Sequence, residues 1–391
     1  MTISLSANTT IGFLGAGQLA RMSAAEAFRM GLKTAAYSGS AKRMDDPSRQ
    51  PLEWMTPLRF PGTFDDETAL IRFAKSCDVV TLENEFLNGA LLERVEAESG
   101  TPIYPSPGTF QRLESKWLEK ETFRKAGIPV TPYRIIEDTG DLKEFAAEFG
   151  FPFVLKSSKG GYDGYGNVTV STKEQFTEAI RSLGGDQGRE LIAEAFIAFE
   201  KELAVQVARN HTGTVAYPCC ETIQKNHICQ TVIAPAKIDP VVAEEARSLA
   251  LAATEAIDGT GLFAFEFFLK SDGGLLLNES APRPHNSGHY TIEGCIASQF
   301  ENHIRAILGL PLGSVEMRRP VAVMENLLGI HNRPARVDGD TPLWSVKDAH
   351  LHVYGKEESR TGRKMGHITL LGDDHISVQR KAKQLADEIA M

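Results

Sequence analysis

Two apolar runs, Phe265-Glu266-Phe267-Phe268 and Leu276-Leu277-Asn278-Glu279, flank Ser271-Asp272-Gly273-Gly274, and this pattern restricts the fold more than any other in the chain. Asp-Gly between strand-like runs is a strong hairpin signal. A two-residue turn at Asp272-Gly273 makes Glu266 and Glu279 cross-strand neighbours on one face, with Cβ atoms roughly 5 Å apart. Two carboxylates held that closely in apolar surroundings repel, and one stays protonated unless a cation lies between them. Together with the Asn278 carbonyl they suit Mg²⁺, which usually takes one or two carboxylates plus substrate phosphates. Solvated glutamates on the rim of an edge hairpin would read the same way, but the aromatic flanks favour the metal site.

The rest of the chain changes character part-way. Ile11–Leu14 reads as a buried strand, Gln18–Met30 as a helix ended by Gly31, and Lys33–Tyr37 as the next strand. Glu67–Ser76 as helix and Asp78–Leu82 as strand continue the alternation, which predicts a parallel α/β domain up to about residue 110. Thr101–Thr109, rich in Pro and Gly, reads as an exit linker, followed by a helix over Leu113–Ala126 and a stop at Gly127-Ile128-Pro129. Beyond it come short strands of antiparallel type: Phe153–Lys156, Val168–Val170, Leu191–Ala193, Glu202–Ala208 and Val215–Cys219. A long helix, Pro240–Ile257, precedes the glutamate hairpin, and residues 321–391 are strand-rich and end in a helix.

Composition narrows the function. With 391 residues there is room for two or three domains, and a formal net charge of −9 disfavours non-specific binding of nucleic acid or anionic membranes. Cys77, Cys219, Cys220, Cys229 and Cys295 show no CxxC spacing, which fits reduced thiols in the cytoplasm better than disulfides or a zinc site. No apolar run reaches membrane-spanning length, and there is no secretory leader pattern.

Four further motifs carry chemistry. Gly15-Ala16-Gly17-Gln18-Leu19-Ala20 matches the dinucleotide fingerprint G-x-G-x-x-A, but the second strand ends in Ala35-Ala36-Tyr37-Ser38 without the acid that NAD requires. A tight turn shaping another ligand's pocket is the better reading. Lys156 to Gly166 is a glycine-rich loop between strands, able to fold backbone N–H groups over phosphates, although a hairpin tip has similar composition. Ala281-Pro282-Arg283-Pro284-His285-Asn286-Ser287-Gly288-His289 follows directly on Glu279 and reads as substrate contacts, with Arg283 able to neutralise a transferring phosphoryl group. Lys356, Arg360, Arg363, Lys364 and His367 form a basic cluster suited to a phosphate monoester, or equally a solvated basic turn.

Taken together, Gly-Gly-Tyr-Asp-Gly-x-Gly, Glu266, Asn278-Glu279, the Pro-Arg-Pro-His-Asn-Ser-Gly-His segment and Gly-Arg-Lys-Met-Gly-His resemble the N5-carboxyaminoimidazole ribonucleotide synthetases, ATP-grasp ligases of purine biosynthesis. The resemblance runs in order over nearly the whole chain. It implies mixed α/β and α+β architecture: a parallel α/β pre-ATP-grasp domain over 1–110, an ATP-grasp domain of two lobes over 111–320 with a lid near 153–193, and a small β-rich domain over 321–391. It also implies a homodimer, and MgATP, bicarbonate and 5-aminoimidazole ribonucleotide as small-molecule partners, with no nucleic acid or membrane partner.

Carried over by position, the resemblance puts Lys116 and Lys156 at the nucleotide and makes Gly161, Tyr162, Asp163, Gly164, Tyr165, Gly166 and Asn167 the phosphate lid. Glu194, Ala195, Phe196 and Ile197 become the strand beside adenine, Glu202 faces the ribose, and Gln224 and Asn278 complete the nucleotide site. Glu266 and Glu279 hold Mg²⁺. Tyr162 and Asp163 face the substrate amine, and Arg283 and Asn286 face carboxyphosphate. Gln18, Leu19, Glu83, His285, Lys356, Arg363 and Lys364 surround the ribonucleotide. Tyr165, Lys116 and Gln224 depart from the residues usual in that family, which predicts altered ATP affinity.

Overall fold

The structure, a computed structural model, describes residues 3–39, 49–83, 85, 87–160, 166–330, 337 and 341–389. The N-terminal elements are β1 (Thr10–Leu14), α1 (Gln18–Arg29), β2 (Lys33–Ser38), β3 (Leu58–Pro61), α2 (Glu67–Ala74), β4 (Val79–Leu82), α3 (Gly89–Ser99) and β5 (Ile103–Tyr104). They form a parallel sheet in the order β3-β2-β1-β4-β5. Every residue of β1 and β4 is buried, as expected for strands covered on both faces.

The expected linker at 101–109 is instead structured. Ile103–Tyr104 pairs with β4 as the last parallel strand, and Pro107 opens α4 (Pro107–Leu113). Proline is favoured at a first helical position because its missing N–H is not needed there. The single helix expected over Leu113–Ala126 is likewise broken. Ser115 accepts a hydrogen bond from the Leu118 N–H and starts a new helix, α5 (Lys116–Lys125).

The next elements are β6 (Tyr133–Ile136), α6 (Thr139–Phe149), β7 (Phe153–Ser157), β8 (Asn167–Val170), α7 (Phe176–Ser182) and β9 (Leu191–Ala195), with an antiparallel sheet ordered β6-β9-β7-β8. Phe153 and Leu155 pack with Leu142 and Phe145, so the intervening Val154 and Lys156 face the other way, into the large cavity described below.

The remaining elements are β10 (Lys201–Asn210), β11 (Gly213–Ala216), β12 (Cys220–Lys225), β13 (Ile228–Ala234), α8 (Pro240–Ala256), β14 (Gly261–Leu269), β15 (Leu275–Ala281), α9 (Thr291–Gly294), α10 (Gln299–Ile307), β16 (Val321–Leu328), β17 (Ala349–Val353), β18 (Lys364–Gly372) and α11 (His375–Asp387). Their sheet runs β15-β14-β10-β12-β13-β16-β18-β17, with β11 paired to β10. The strand expected over Val215–Cys219 stops at Ala216, and the chain turns through Tyr217-Pro218 into β12. α8 lays Ala246, Ala250 and Ala253 against Leu203, Val205, Phe263 and Phe265, small helical residues letting it approach the sheet closely. β16 pairs with β13 on one side and β18 on the other, so the sheet passes from the central region into the C-terminal one without a break.

Candidate active site

Glu266 and Glu279 are direct cross-strand partners. Burial, together with the neighbouring charges of Glu279 and Glu202, pushes the Glu266 carboxyl up to about 8. Glu279 behaves oppositely. Its enclosure alone would raise it, but Lys116 and Lys156 outweigh that and hold it below the ordinary carboxylate value. The Lys116 Nζ donates to Glu279 Oε1 at 3.2 Å. One carboxyl is thus protonated near neutrality and its partner charged, the division expected of two like groups sharing a site.

Two elements supply the adjoining cluster of cations. Lys116 opens α5, Lys120 lies one turn on, and Lys156 comes from β7. Lys120 Nζ and Lys156 Nζ stand 3.2 and 3.1 Å from Glu194 Oε2 on β9. Burial would raise the Glu194 carboxyl, yet Lys120, Lys156 and Lys116 together lower it to about 2. Thr131 Oγ1 accepts from Lys120 Nζ at 2.6 Å and donates to Glu194 Oε2 at 3.0 Å. Glu194 Oε1 is buried without a partner.

Arg283 lies just past the end of β15, where Glu85 takes its fork: Nε and Nη2 donate to the two carboxylate oxygens at 2.5 and 2.8 Å. Burial would raise Glu85 and lower Arg283, and the pairing reverses both. His285 is driven to about 3 by burial and by the Arg283 and Lys364 charges, so it is neutral. Its Nδ1 meets Ser287 Oγ at 2.8 Å.

Apart from Lys120, these groups open on one cavity of about 950 Å³, lined by Lys116, Lys156, Asn167, Glu194, Ala195, Phe196, Ile197, Glu202, Gln224, Glu266, Asn278, Glu279, Arg283, His285, Asn286 and Lys364 among the residues singled out in the sequence. Burial raises Glu202 to about 7. Gly161, Tyr162, Asp163, Gly164 and Tyr165 lie outside the described residues. Gly166, Gln18, Leu19, Glu83, Lys356 and Arg363 do not line this cavity. Burial raises the Glu83 carboxyl, although the Gly17 N–H and the charges of Arg283 and Lys356 act to lower it. Lys356 Nζ donates to the Lys364 carbonyl at 2.6 Å, and the exposed Arg363 donates to the Glu358 carbonyl at 3.0 Å.

The glycine fingerprint has its own explanation. Gly17 N–H donates to Glu83 Oε2 at 2.7 Å, so the start of α1 is capped by the protein's own carboxylate. A Cβ on Gly17 would clash with Glu83 Oε1, and one on Gly15 would meet Oε2 at 2.5 Å. The bare backbone is needed to admit Glu83, and a pyrophosphate would have to displace it.

Glu85 and Lys120 were not among the residues singled out. Glu85 carried a signal, standing just past the carboxyl end of β4, where open α/β sheets hold their ligands. Lys120 carried one too, four residues after Lys116 and so on the same helix face.

Three family models match the chain: the ribonucleotide synthetase preATP-grasp domain over residues 8–113, the ATP-grasp domain over 121–300, and the phosphoribosylaminoimidazole carboxylase C-terminal domain over 322–381. The N5-carboxyaminoimidazole ribonucleotide synthase of Bacillus subtilis is 36% identical over 92% of this chain and 91% of its own length. The chain belongs to the N5-carboxyaminoimidazole ribonucleotide synthetase family. A phosphoribosylaminoimidazole carboxylase of Ogataea methanolica is 39% identical over 95% of this chain, which spans 68% of that longer protein. The crystal structure of the Aspergillus clavatus N5-carboxyaminoimidazole synthase in complex with ADP and 5-aminoimidazole ribonucleotide superposes with a TM-score of 0.85 at 33% identity, covering 97% of this chain and 98% of that one.

Members of this synthetase family share the ATP-grasp domain, and the donor set here fits the metal that such a site implies. Among the described residues no group of three metal-ligating side chains occurs. A site of two carboxylates, completed by nucleotide phosphates, matches Mg²⁺ rather than zinc or another ion held wholly by protein. Among the described residues no helix is long and apolar enough to cross a membrane.

Proposed function

We propose that this chain couples ATP cleavage to the carboxylation of 5-aminoimidazole ribonucleotide by bicarbonate, giving N5-carboxyaminoimidazole ribonucleotide, ADP and phosphate in purine biosynthesis. The observation that carries the reading is the single cavity in which a carboxylate pair, a lysine cluster and the Arg283-Pro284-His285-Asn286 segment meet between the lid lobe and the large sheet. Family membership names the substrates, as does the related structure holding ADP and 5-aminoimidazole ribonucleotide.

ATP would lie between β7 and β10, with adenine beside Glu194 to Ile197, the ribose at Glu202, and Lys116 and Lys156 along the phosphates. Glu266 and Glu279 would hold Mg²⁺, which supplies charge neutralisation at the β- and γ-phosphates when bound. A bicarbonate oxygen attacks the γ-phosphorus, the bond to ADP breaks, and carboxyphosphate forms. Phosphoryl transfer needs positioning and charge more than a covalent nucleophile, and Arg283 supplies a fixed cation beside Asn286. Neutral His285 adds no competing charge there. The substrate amine then takes the carboxyl group, directly or as CO₂ released in the pocket, phosphate leaves, and the amine proton passes to a base. Asp163, beside Tyr162 in the glycine-rich lid, is the residue we assign to that proton. Lys356, Arg363 and Lys364 would receive the ribonucleotide phosphate, with Gln18, Leu19 and Glu83 opposite. On family likeness we also expect a cytoplasmic homodimer divided near residues 110 and 320; light scattering tests the dimer.

The test is phosphate release from MgATP and bicarbonate, with and without 5-aminoimidazole ribonucleotide. Stimulation by the ribonucleotide that depends on bicarbonate supports the reading. ATP binding without such stimulation overturns it.

A further inference from the structure

Asn286 lines the cavity, and Asn326, near the middle of β16, stands behind it. Both are nearly buried, at 8% and 7% exposure. Their amides form a closed pair: Asn286 Nδ2 donates to Asn326 Oδ1 at 2.9 Å, and Asn326 Nδ2 donates to Asn286 Oδ1 at 2.7 Å. Asn326 Nδ2 also donates to the backbone carbonyl of Cys229 on β13 at 3.0 Å.

An amide NH₂ has two hydrogens, and Asn326 spends both. Turned over, its own oxygen would confront the Cys229 carbonyl and the Asn286 oxygen, leaving acceptors face to face in a buried site. The Cys229 carbonyl is part of the sheet and cannot turn. It therefore sets the orientation of Asn326, and Asn326 sets that of Asn286. The outcome is an Asn286 whose carbonyl oxygen is engaged by Asn326 and whose NH₂ keeps one hydrogen in reserve, on the member of the pair that reaches the cavity. An anion beside Arg283 needs such a donor, and a flipped Asn286 would offer it a lone pair instead.

We propose that Asn326 is a positioning residue for bicarbonate and the carboxyphosphate made from it, acting only through Asn286. The inference rests on the function proposed above. It gives the C-terminal strand β16 a part in the carboxylation step, although Asn326 itself is not in the cavity wall.

Asn326→Asp tests this, because it keeps the size and the acceptor while replacing both donated hydrogen bonds by repulsion. The expected result is a bicarbonate KM raised about ten-fold or more, the scale of a hydrogen bond to a charged group. KM values for ATP and the ribonucleotide should stay within about three-fold of the parent, below the size of one such bond. The thermal midpoint should fall, since the repulsion is buried, while the calorimetric affinity for ADP should be unchanged. Asn326→Ser, which frees Asn286 without repelling it, should give a smaller rise confined to bicarbonate, and it carries the test if the aspartate variant does not fold. A folded variant with unaltered bicarbonate KM, or with all three KM values raised together, overturns the proposal. If the parent protein shows no bicarbonate-dependent, ribonucleotide-stimulated phosphate release, the functional reading itself has failed and this inference falls with it. If the parent shows that activity, only the amide relay is at stake.

Discussion

Glu266 and Glu279 face each other because two irregularities in the β14–β15 hairpin cancel. The loop is three residues long, 271–273, closed by the Lys270 N–H to Gly274 carbonyl bond of 2.9 Å, with Gly273 in the left-handed region at φ 85°. That loop pairs Phe267 with Leu277, and a regular strand would pair Phe265 with Glu279. Phe265 is fully buried in the core, so Glu279 would be driven into it. The register shift at Asn278 moves the pairing by one residue and turns Glu279 onto the face of Glu266.

Replacing Glu279 by Gln should lower turnover on the order of 10²-fold, as the loss of one key electrostatic group does. Stability should fall modestly, because Glu266 is protonated near neutrality and the variant removes the charge that Lys116 and Lys156 hold below its ordinary value. Steady-state kinetics and a thermal melt check the two halves. Near-normal turnover at saturating Mg²⁺ would remove Glu279 from the metal site.

The cap formed by Glu83 at α1 predicts that nicotinamide cofactors do not bind. Titrating NADH fluorescence should give a flat line. Gly17→Ala should destabilise the fold by roughly 1–3 kcal/mol, the usual scale of overpacking, since the new methyl meets a carboxylate it cannot displace cheaply. A binding curve for NADH, or an alanine variant as stable as the parent, would contradict the account of the fingerprint.

Glu85→Ala leaves Arg283 with a single carbonyl contact, to Pro284 at 3.3 Å. The cost should be roughly 2 kcal/mol, given that both side chains are partly exposed. Glu85→Gln retains one acceptor and should cost less. Chemical denaturation ranks the variants, and equal stability of all three proteins would show that the pair holds nothing together.

Glu325 provides a stability switch with a defined sign. Burial raises its carboxyl from 4.5 to about 7, and Oε1 has no partner while Oε2 accepts from Thr231 at 2.8 Å. A folded-state value above the unfolded one means the contribution is fully present below pH 4.5 and is lost as pH rises through about 7. Glu325→Gln should therefore flatten the loss of stability between pH 5 and 8, by up to roughly 3 kcal/mol at the upper end. Denaturant unfolding at both pH values decides it, and parallel curves for parent and variant would rule the group out.

Local chemistry made much of this legible. The alternation of helix and strand up to residue 110 and the helix at Pro240 follow from periodicity and punctuation within a single segment. Ile103–Tyr104 was not legible because a two-residue strand has no period, and only its partner Val80–Thr81 makes it one.

The glutamate pairing shows the limit most clearly. Asp272-Gly273 and the flanking apolar runs are enough to bring Glu266 and Glu279 together, but by a two-residue turn that the protein does not use. By itself the sequence determined most of the segments that form strands and helices, which residue types cluster near the hairpin, and, through the Pro-Arg-Pro-His-Asn-Ser-Gly-His segment, the family. Tertiary structure alone decided that Glu85 takes the fork of Arg283, that Lys120 joins Lys156 on Glu194, that Glu83 fills the start of α1, and that Asn326 backs Asn286. The physical reason is range. Propensity and turn chemistry act over a few neighbouring residues, whereas these contacts join groups far apart in the chain, and their geometry exists only once the sheets have packed.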